Sequence, residues 1–263
     1  MIGAIRAEWT KLRTVPSSAW LLAGLVVVTV GVGAIFVGTV RTDMCASPTV
    51  CDEDTTKLSL SGVWAGQAVA AILGTLIMTT EYGTRVIGVT LAARPSRWQV
   101  YLAKAAVAAG VVLVGGAVAV AASLAVGRGL LPGNGFTAEN GYAPLSLLDG
   151  PTLRAAVGTV LYLGLIALLS LGIGALIRDT AVSLTVVFAV LFVVPILTEF
   201  VSDPAWQERL QRWSPTSAGL AVQNTLRLDE LPIAPWPGLG VLALWAVGAA
   251  IAGYMTFARR AAW

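Results

Sequence analysis

Histidine is absent from the 263-residue chain, and Lys, Arg, Asp and Glu together make up only 12% of it. A soluble globular domain carries about 25% charged residues. Most zinc and other transition-metal sites use His and Cys as ligands, and the chain has no His and two Cys. It also lacks the Gly-x-x-x-x-Gly-Lys-Ser/Thr phosphate loop of many ATP-binding proteins. We therefore expect neither a catalytic centre nor a bound metal or cofactor in this chain.

The chain contains long uncharged apolar runs instead. The mean hydropathy is +0.81, and runs of 18 or more apolar residues indicate membrane spans. Six such runs contain no Asp, Glu, Lys or Arg, namely residues 19–40, 58–80, 105–126, 155–177, 181–198 and 236–258. The sequence therefore predicts an all-α, polytopic membrane protein, with residues 1–263 forming a single transmembrane domain.

The lack of charge inside the six runs excludes further classes of membrane protein. Pumps and ion-coupled transporters usually carry Asp, Glu, His, Lys or Arg within their spans, and intramembrane metallo- and aspartyl proteases need such groups for catalysis. We expect neither activity here. Gln67, Thr75 and Thr79 in the second run form either a translocation surface or ordinary contacts between helices. Gly62 and Gly66 form a pair at the spacing that permits close helix packing.

The distribution of basic residues predicts the orientation in the membrane. Six spans place both termini on one side, where ten Lys and Arg occur in 50 residues, against seven in 82 residues on the other side. By the positive-inside rule the termini are cytoplasmic. The isoelectric point of about 9.1 is then explained by the basic residues that orient the chain in the membrane. The basic residues form no patch interleaved with aromatics, so we do not expect a nucleic-acid partner.

Both cysteines, Cys45 and Cys51, fall in the first outer loop. Thiols outside the cytoplasmic membrane can be oxidised, and the intervening residues include Pro48, which favours a turn. We predict a disulfide, with two free thiols as the alternative.

Residues 2–13 have the pattern of an amphipathic helix ahead of the first span. The apolar side chains on one helical stripe are Ile2, Ile5, Trp9 and Leu12. Such a helix lies in the membrane interface, with its Trp at headgroup level. The alternative is a charged flank with no fixed helix.

The segment 81–104, between the second and third spans, contains four Lys or Arg and one acid. Residues 84–93 can form a short helix. Arg94 precedes Pro95 and is therefore disfavoured in helical geometry. Ser96 and Gln99 then have the spacing of a capping box, which starts a new helix into the third span. We expect an ordered segment, although a loosely solvated loop is the alternative.

Several motifs together carry a family resemblance. In the segment 81–104 they are Glu81-Tyr82-Gly83-Thr84, Thr90-Leu91, Pro95, Arg97 and Lys104. With this pattern the chain resembles a permease of the ATP-binding-cassette (ABC) exporter superfamily, in its type-2 export branch. RAEWTKLR at residues 6–13 resembles the amphipathic elbow helix of that family, and ALLSLGIGALIRDTA at residues 167–181 resembles its hairpin between spans four and five. SPTSAG at residues 214–219 resembles a segment of its last outer loop. The chain departs from the family in lacking a basic residue directly after the aromatic one, since its nearest charge is Arg85.

The resemblance implies a dimer of permeases with two cytoplasmic ATPase subunits, which would hold the ATP and magnesium. This chain would itself be no enzyme. The segment 81–104 would contain a coupling helix that docks on the ATPase. The residues that the resemblance places at or near this interface are Glu81, Tyr82, Thr84, Arg85, Arg94 and Arg97. The alternative role for the basic residues is to bind anionic lipids.

The function expected from these features is export of a hydrophobic or amphipathic small molecule, such as an antibiotic, a drug or a lipid-like compound, from a bacterial cell. The protein would lie in the cytoplasmic membrane in contact with lipids, with the substrate route between two identical or related permease copies. One alternative is a stand-alone membrane scaffold or sensor that recruits a cytoplasmic regulator. Another is an ATP-independent channel or carrier.

Overall fold

The computed structural model describes residues 1–44, 53–84, 86–93, 96–147 and 149–259. Within these ranges the regular structure is helical, without a strand. The α-helices are α1 (Ile2–Thr14), α2 (Pro16–Thr39), α3 (Thr55–Leu60), α4 (Val63–Gly83), α5 (Ile87–Ala93), α6 (Arg97–Leu130), α7 (Gly150–Ile177), α8 (Thr180–Phe188), α9 (Val194–Glu199), α10 (Pro204–Trp213), α11 (Pro215–Leu220) and α12 (Pro235–Arg259).

Six helical stretches are long and apolar enough to cross a membrane. In chain order, spans 1 to 6 are Pro16–Thr39, Thr55–Gly83, Arg97–Asn134, Gly150–Ile177, Thr180–Glu199 and Pro235–Arg259. Each contains one of the six uncharged runs almost entirely, so the predicted all-α polytopic architecture is confirmed. The helices extend beyond the runs, most of all in span 3, because a helix continues into the polar residues that flank its apolar part.

Helix α7 is the centre of the bundle and packs against α4, α6 and α12. Glycines permit this close packing. A Cβ atom on Gly74 of α4 would overlap with the backbone of Ala167 in α7, and one on Gly172 of α7 would overlap with Ala249 in α12. Spans 1 and 5 are among the least buried within the chain. Their apolar surfaces therefore face outward from the bundle.

The Gly62 and Gly66 pair brings span 1 against span 2. A Cβ atom at Gly62 would overlap with the carbonyl oxygen of Thr29, and one at Gly66 would overlap with the Thr29 hydroxyl. The predicted close-packing role of this pair is therefore realised within the chain.

Span 5 is interrupted by a π-helical turn at Ala189–Val193, between α8 and α9. Pro195 follows this turn and has no N–H for the carbonyl of Leu191, its partner in a regular α-helix. The hydroxyl of Thr216 in α11 donates to this carbonyl instead, at 3.0 Å. The segment between spans 5 and 6 forms α10 and α11. It is tied to the irregular part of span 5 through Thr216.

The turn between spans 4 and 5 is tight, because α7 ends at Ile177 and α8 begins at Thr180. Arg178 ends α7 in the left-handed conformation, with φ of 68°. Asp179 then starts α8, because its carboxylate accepts a hydrogen bond from the Val182 N–H at 2.8 Å. The Arg178 guanidinium donates to the Thr256 carbonyl in α12 at 2.7 Å. The hairpin is thereby attached to the end of span 6.

Helix α6 begins at Arg97 with Ser96 at its N-cap position. The predicted capping box is nevertheless wrong, since the Ser96 side chain makes no capping hydrogen bond. Ser96 and Gln99 are joined by a backbone bond from the Gln99 N–H to the Ser96 carbonyl, at 3.1 Å. Arg97 makes the tertiary contact here and donates to the carbonyls of Phe257 and Ala258 at 3.1 and 2.9 Å. The first turn of α6 is therefore joined to the last turn of α12.

Candidate functional site

Four charged side chains from three helices meet at one end of the bundle. Lys104 Nζ in α6 lies 2.9 Å from Glu8 Oε2 in α1 and 2.7 Å from Glu81 Oε1 in α4. Lys11 Nζ in α1 lies 2.8 Å from Glu8 Oε1 and 2.7 Å from Glu81 Oε1. Each ammonium therefore contacts both carboxylates. We call Glu8, Lys11, Glu81 and Lys104 the ion cluster, and its formal charge is zero.

Most of the ion cluster is buried. The Lys104 side chain is 1% exposed and those of Glu8 and Glu81 are 10% exposed or less, whereas the Lys11 side chain is 42% exposed. Burying a charge costs several kcal/mol unless partners compensate it. The Lys104 ammonium uses its third donor on the Ile77 carbonyl, at 3.2 Å. The Lys104 ammonium, which lies outside the six uncharged runs in the sequence, thus contacts the backbone of the second span.

The end of the bundle that carries the ion cluster, called the inner end below, also contains the last turn of α12 and the hairpin between α7 and α8. Arg97, seven residues before Lys104 in α6, contacts α12, and Arg178 contacts both α12 and the Tyr82 ring, which lies 5.1 Å from its guanidinium carbon. The opposite end, with α3, α10 and α11, is called the outer end.

Helix α1 packs on the bundle through its polar face. Ala4 and Glu8 are buried, whereas Ile2 and Trp9 are exposed. The predicted amphipathic helix is confirmed, and part of its apolar stripe faces away from the protein. Glu8 and Lys11 are three residues apart and therefore lie on the same side of the helix. The helix thus presents an ion pair to the bundle and apolar side chains to its surroundings.

The environment of Lys11 keeps it charged. Burial alone would lower the pKa of Lys11, but hydrogen bonds to Glu8 and Glu81, and the charges of these carboxylates, outweigh that effect. The pKa of Lys11 is therefore held above its ordinary value of 10.5. The ammonium remains protonated at any physiological pH.

The short helix α5 lies beside the ion cluster. Ile87 is buried and packs in an apolar cluster with Met78, Tyr101 and others. The Thr90 hydroxyl lies 3.5 Å from Lys11 Nζ. On the other side of the helix Val89 is 70% exposed. Helix α5 is therefore attached to spans 2 and 3 and to α1, and it presents an apolar side chain outward.

The structure places four of the six predicted interface residues at the inner end. Glu81 is a member of the ion cluster, Tyr82 lies beside Arg178, and Arg97 contacts α12. Thr84 is exposed, and its hydroxyl donates to the Thr80 carbonyl at 2.8 Å. Arg85 and Arg94 lie outside the described residues.

The three predicted translocation residues lie inside the bundle. Gln67, Thr75 and Thr79 are buried. Gln67 Oε1 accepts a hydrogen bond from the Tyr162 hydroxyl at 2.5 Å, and Thr79 accepts one from Thr180 at 2.8 Å. Their burial agrees with the alternative role, helix packing.

The predicted disulfide between Cys45 and Cys51 lies outside the described residues.

Sequence reasoning did not identify Glu8 and Lys11 as site residues. A signal was present, because the predicted cytoplasmic side contains only three acids, Glu8, Glu81 and Asp179. Two of these belong to the ion cluster, and the third caps α8. An acid in an otherwise basic segment is thus an indication of a specific partner.

A scan against models of protein families finds no match to this chain, and a search of curated proteins finds no similar sequence.

Proposed function

We propose that this chain is the permease subunit of an ABC exporter of the type-2 export branch. It would lie in the cytoplasmic membrane of a bacterium and move a hydrophobic or amphipathic small molecule out of the cell. Two cytoplasmic ATPase subunits would bind ATP and magnesium, and a second permease copy would complete the substrate route. The observation that carries this proposal is the ion cluster.

The ion cluster joins separate motifs on which the family resemblance rests. Glu81 is the first residue of the pattern between spans 2 and 3, and Lys104 is the last. Glu8 and Lys11 belong to the RAEWTKLR segment, 70 residues or more before Glu81. These residues are far apart in sequence, yet all four are in direct contact. This arrangement supports a common role for the two segments.

A coupling role follows from the energetics of the ion cluster. Removing one partner of a buried ion pair costs about 3–5 kcal/mol, because the other charge is left uncompensated. Spans 2 and 3 and α1 are therefore expected to move as one unit near Glu81. Helix α5 contacts this unit through Ile87 and Thr90. A force applied to α5 by a partner would thus act on the ends of two spans together.

The solvent-exposed surface of α5 is suited to contact with another protein. Val89 is 70% exposed and lies between Ile87 and Thr90, which attach α5 to the bundle. An apolar side chain on a preordered helix can bind without a large loss of conformational entropy. This feature supports docking of an ATPase at α5.

The composition of the spans supports an apolar or amphipathic substrate. The six uncharged runs offer no ion pair or proton-transfer group to a charged substrate. Spans 1 and 5 are 22% and 17% buried within the chain, so their apolar faces are free to contact a second copy or the substrate.

The proposal is tested by purifying the full chain together with a cassette ATPase encoded beside it. We expect Val89→Asp to reduce the amount of copurified ATPase and ATP-dependent export by about tenfold, as for the loss of a central apolar contact. Leu228→Asp is the matched control, since it adds the same charge at an exposed outer-end residue. It should change neither quantity.

Three outcomes would contradict the proposal. Wild-type levels of ATPase binding and export in Val89→Asp would exclude α5 as the docking element. Export that continues without any ATPase would favour the channel or carrier. A stand-alone scaffold or sensor would copurify with a regulator and with no protein that contains a phosphate loop.

A further inference from the structure

A cavity of about 310 Å³ lies at the inner end where α1 turns into span 1. Its walls come from α1, α2, α4 and α6. The coupling role proposed above does not require an open space at this position. A ligand that occupies the cavity would be a separate property of the chain.

The lining of the cavity is amphipathic. Its polar part includes Lys11 and Glu81 of the ion cluster together with Ser17 and Ser18. Its apolar part includes Leu21 in span 1 and Leu76 in span 2. Both leucines lie farther along their spans from the inner end than the polar groups. A ligand that matches this lining has a polar head at the inner end and an apolar tail toward the membrane centre.

Exposed tryptophans place the cavity at the depth of lipid headgroups. Trp9 in α1, Trp20 in the second turn of α2 and Trp98 in the first turn of α6 are all about half exposed or more. Tryptophan concentrates where the hydrocarbon meets the headgroups. The cavity lies between the helices that carry these side chains, so its polar part is level with the headgroups of one leaflet.

The charges around the cavity select a zwitterionic headgroup. The two carboxylates and two ammonium groups of the ion cluster already balance, so a ligand with net charge would leave a charge uncompensated in a poorly hydrated place. Lys11 retains a 42% exposed side chain that can bind an anion. The N-terminus of α2, which has no side-chain cap, adds positive potential beside Ser17.

Glu81 is the group that would accept hydrogen bonds from the cationic part of a zwitterionic headgroup. Its side chain is nine-tenths buried, and Oε1 binds both lysines. No described residue donates a hydrogen bond to Oε2, which is buried. A small displacement of the cavity wall would expose this oxygen, and a ligand that can donate N–H hydrogen bonds would gain from reaching it. A primary ammonium group has this property, and a quaternary ammonium group does not.

We propose that this cavity binds one phospholipid whose headgroup combines a phosphate with a primary ammonium, as in phosphatidylethanolamine. The phosphate lies against Lys11, Ser17 and Ser18, and the ammonium lies toward Glu81. An acyl chain follows the apolar wall formed by Leu21 and Leu76. The lipid thereby occupies the junction between α1 and spans 1 and 2.

The test is native mass spectrometry of the full chain in detergent, with equal amounts of phosphatidylethanolamine, phosphatidylcholine and phosphatidylglycerol added. We expect phosphatidylethanolamine to be retained about tenfold more than either competitor, the ratio that one charge-assisted hydrogen bond supplies. Equal retention of the three lipids, or preference for either competitor, would overturn the proposal. This readout is independent of ATPase binding and export, so it can fail while the proposed function stands.

Variants locate the lipid. Leu76→Trp fills the apolar part of the cavity and should abolish the preference, whereas Leu244→Trp at an exposed position of span 6 should leave it unchanged. Should Leu76→Trp fail to fold, the double substitution Ser17→Ala and Ser18→Ala removes two donors with little change in volume. It should lower retention about threefold, for the loss of weak neutral hydrogen bonds. Unchanged retention in either folded variant would show that the lipid binds elsewhere.

Discussion

The two ends of the bundle are held together by different interactions. At the inner end four full charges from three helices form a largely buried cluster. At the outer end carboxylates accept hydrogen bonds from neutral groups, and Asp54 makes several of these contacts. It caps α3 through the Lys57 N–H at 3.0 Å and binds the Thr225 N–H and hydroxyl and the Leu226 N–H. The inner end therefore depends on charge balance and the outer end on the capping of backbone groups.

This difference predicts how much stability each end loses when an interaction partner is removed. A charge left alone in the buried cluster has little water to solvate it. The outer contacts involve exposed or half-buried backbone groups, and water can replace a lost acceptor there. We therefore expect the inner end to behave as a rigid unit, while the segment from α10 to α12 can separate from α3 at smaller cost.

The largest effect is expected from removing Lys104. Lys104→Met leaves Glu8 and Glu81 with one cation between them, and we expect a loss of about 3–5 kcal/mol in the free energy of unfolding. Thermal unfolding of the purified protein in detergent measures this loss. Lys57→Met is the matched control at the outer end, where the side chain is exposed. Its effect should stay within about 0.5 kcal/mol. Similar losses in both variants would remove the distinction between the ends.

A double-mutant cycle sharpens the same comparison. Glu8→Gln and Lys104→Gln should each destabilise the protein, and the double variant should be more stable than the sum of the two losses predicts. The expected coupling is about 1–3 kcal/mol, since each single variant leaves the buried cluster with one net charge, whereas the double variant restores the balance. Additive losses would show that Glu8 and Lys104 do not interact energetically, contrary to their 2.9 Å contact.

A smaller effect is expected at Asp54. Asp54→Ala removes the cap of α3 and the contacts to Thr225 and Leu226, and should cost about 1–3 kcal/mol. Hydrogen exchange of the Thr225 and Leu226 amides should become faster, while that of the inner end stays unchanged. Faster exchange around Glu81 in this variant would contradict the independence of the two ends.

The cap of α10 provides a still smaller outer-end effect. Among the described residues, the Asp203 carboxylate accepts hydrogen bonds only from the N–H groups of Ala205 and Trp206 in the first turn of its own helix. Asp203→Ala should cost about 1 kcal/mol, the usual loss for an N-cap. Unfolding in detergent measures it. A loss as large as that of Asp54→Ala would mean that the contacts between Asp54 and Thr225 contribute little.

The smallest effect is expected from mild alkaline pH. The pKa of Lys11 is raised in the folded state, so its stabilising contribution is complete below the unfolded value of 10.5 and is lost only as pH rises through the higher folded value. Between about pH 7 and pH 9, where Lys remains protonated, we expect no contribution of Lys11 to a change in melting temperature. Comparing the wild type with Lys11→Met over this range isolates the contribution. A difference between them that shrinks by pH 9 would contradict the raised pKa.

Much of the architecture was predictable because apolar length is a local property. The uncharged runs predicted all six spans, and Pro95 correctly predicted a new helix starting after it, at Arg97. The Ser96 capping box failed because spacing alone does not specify which hydrogen bonds a side chain makes. Arg97 bonds to α12, a helix 160 residues further along the chain, and no local pattern indicates such a partner.

The site was only partly predictable for a related reason. Glu81 and Lys104 were both visible as parts of a family-like pattern, yet their direct contact was not. Glu8 and Lys11 were missed because an amphipathic pattern shows which face is apolar and does not show what the polar face contacts. The polar residues Gln67, Thr75 and Thr79 were placed in the correct span, but their burial depends on α7 and α8.

By itself the sequence determined that the chain crosses a membrane six times, with an amphipathic helix before the first crossing. These properties follow from the free energy of moving each apolar run out of water, which depends on composition and length. Only the tertiary structure decided that Glu8, Lys11, Glu81 and Lys104 form one cluster beside a cavity. Their attraction falls with distance, and only the packing of α1 against α4 and α6 brings charges that are up to 96 residues apart into contact.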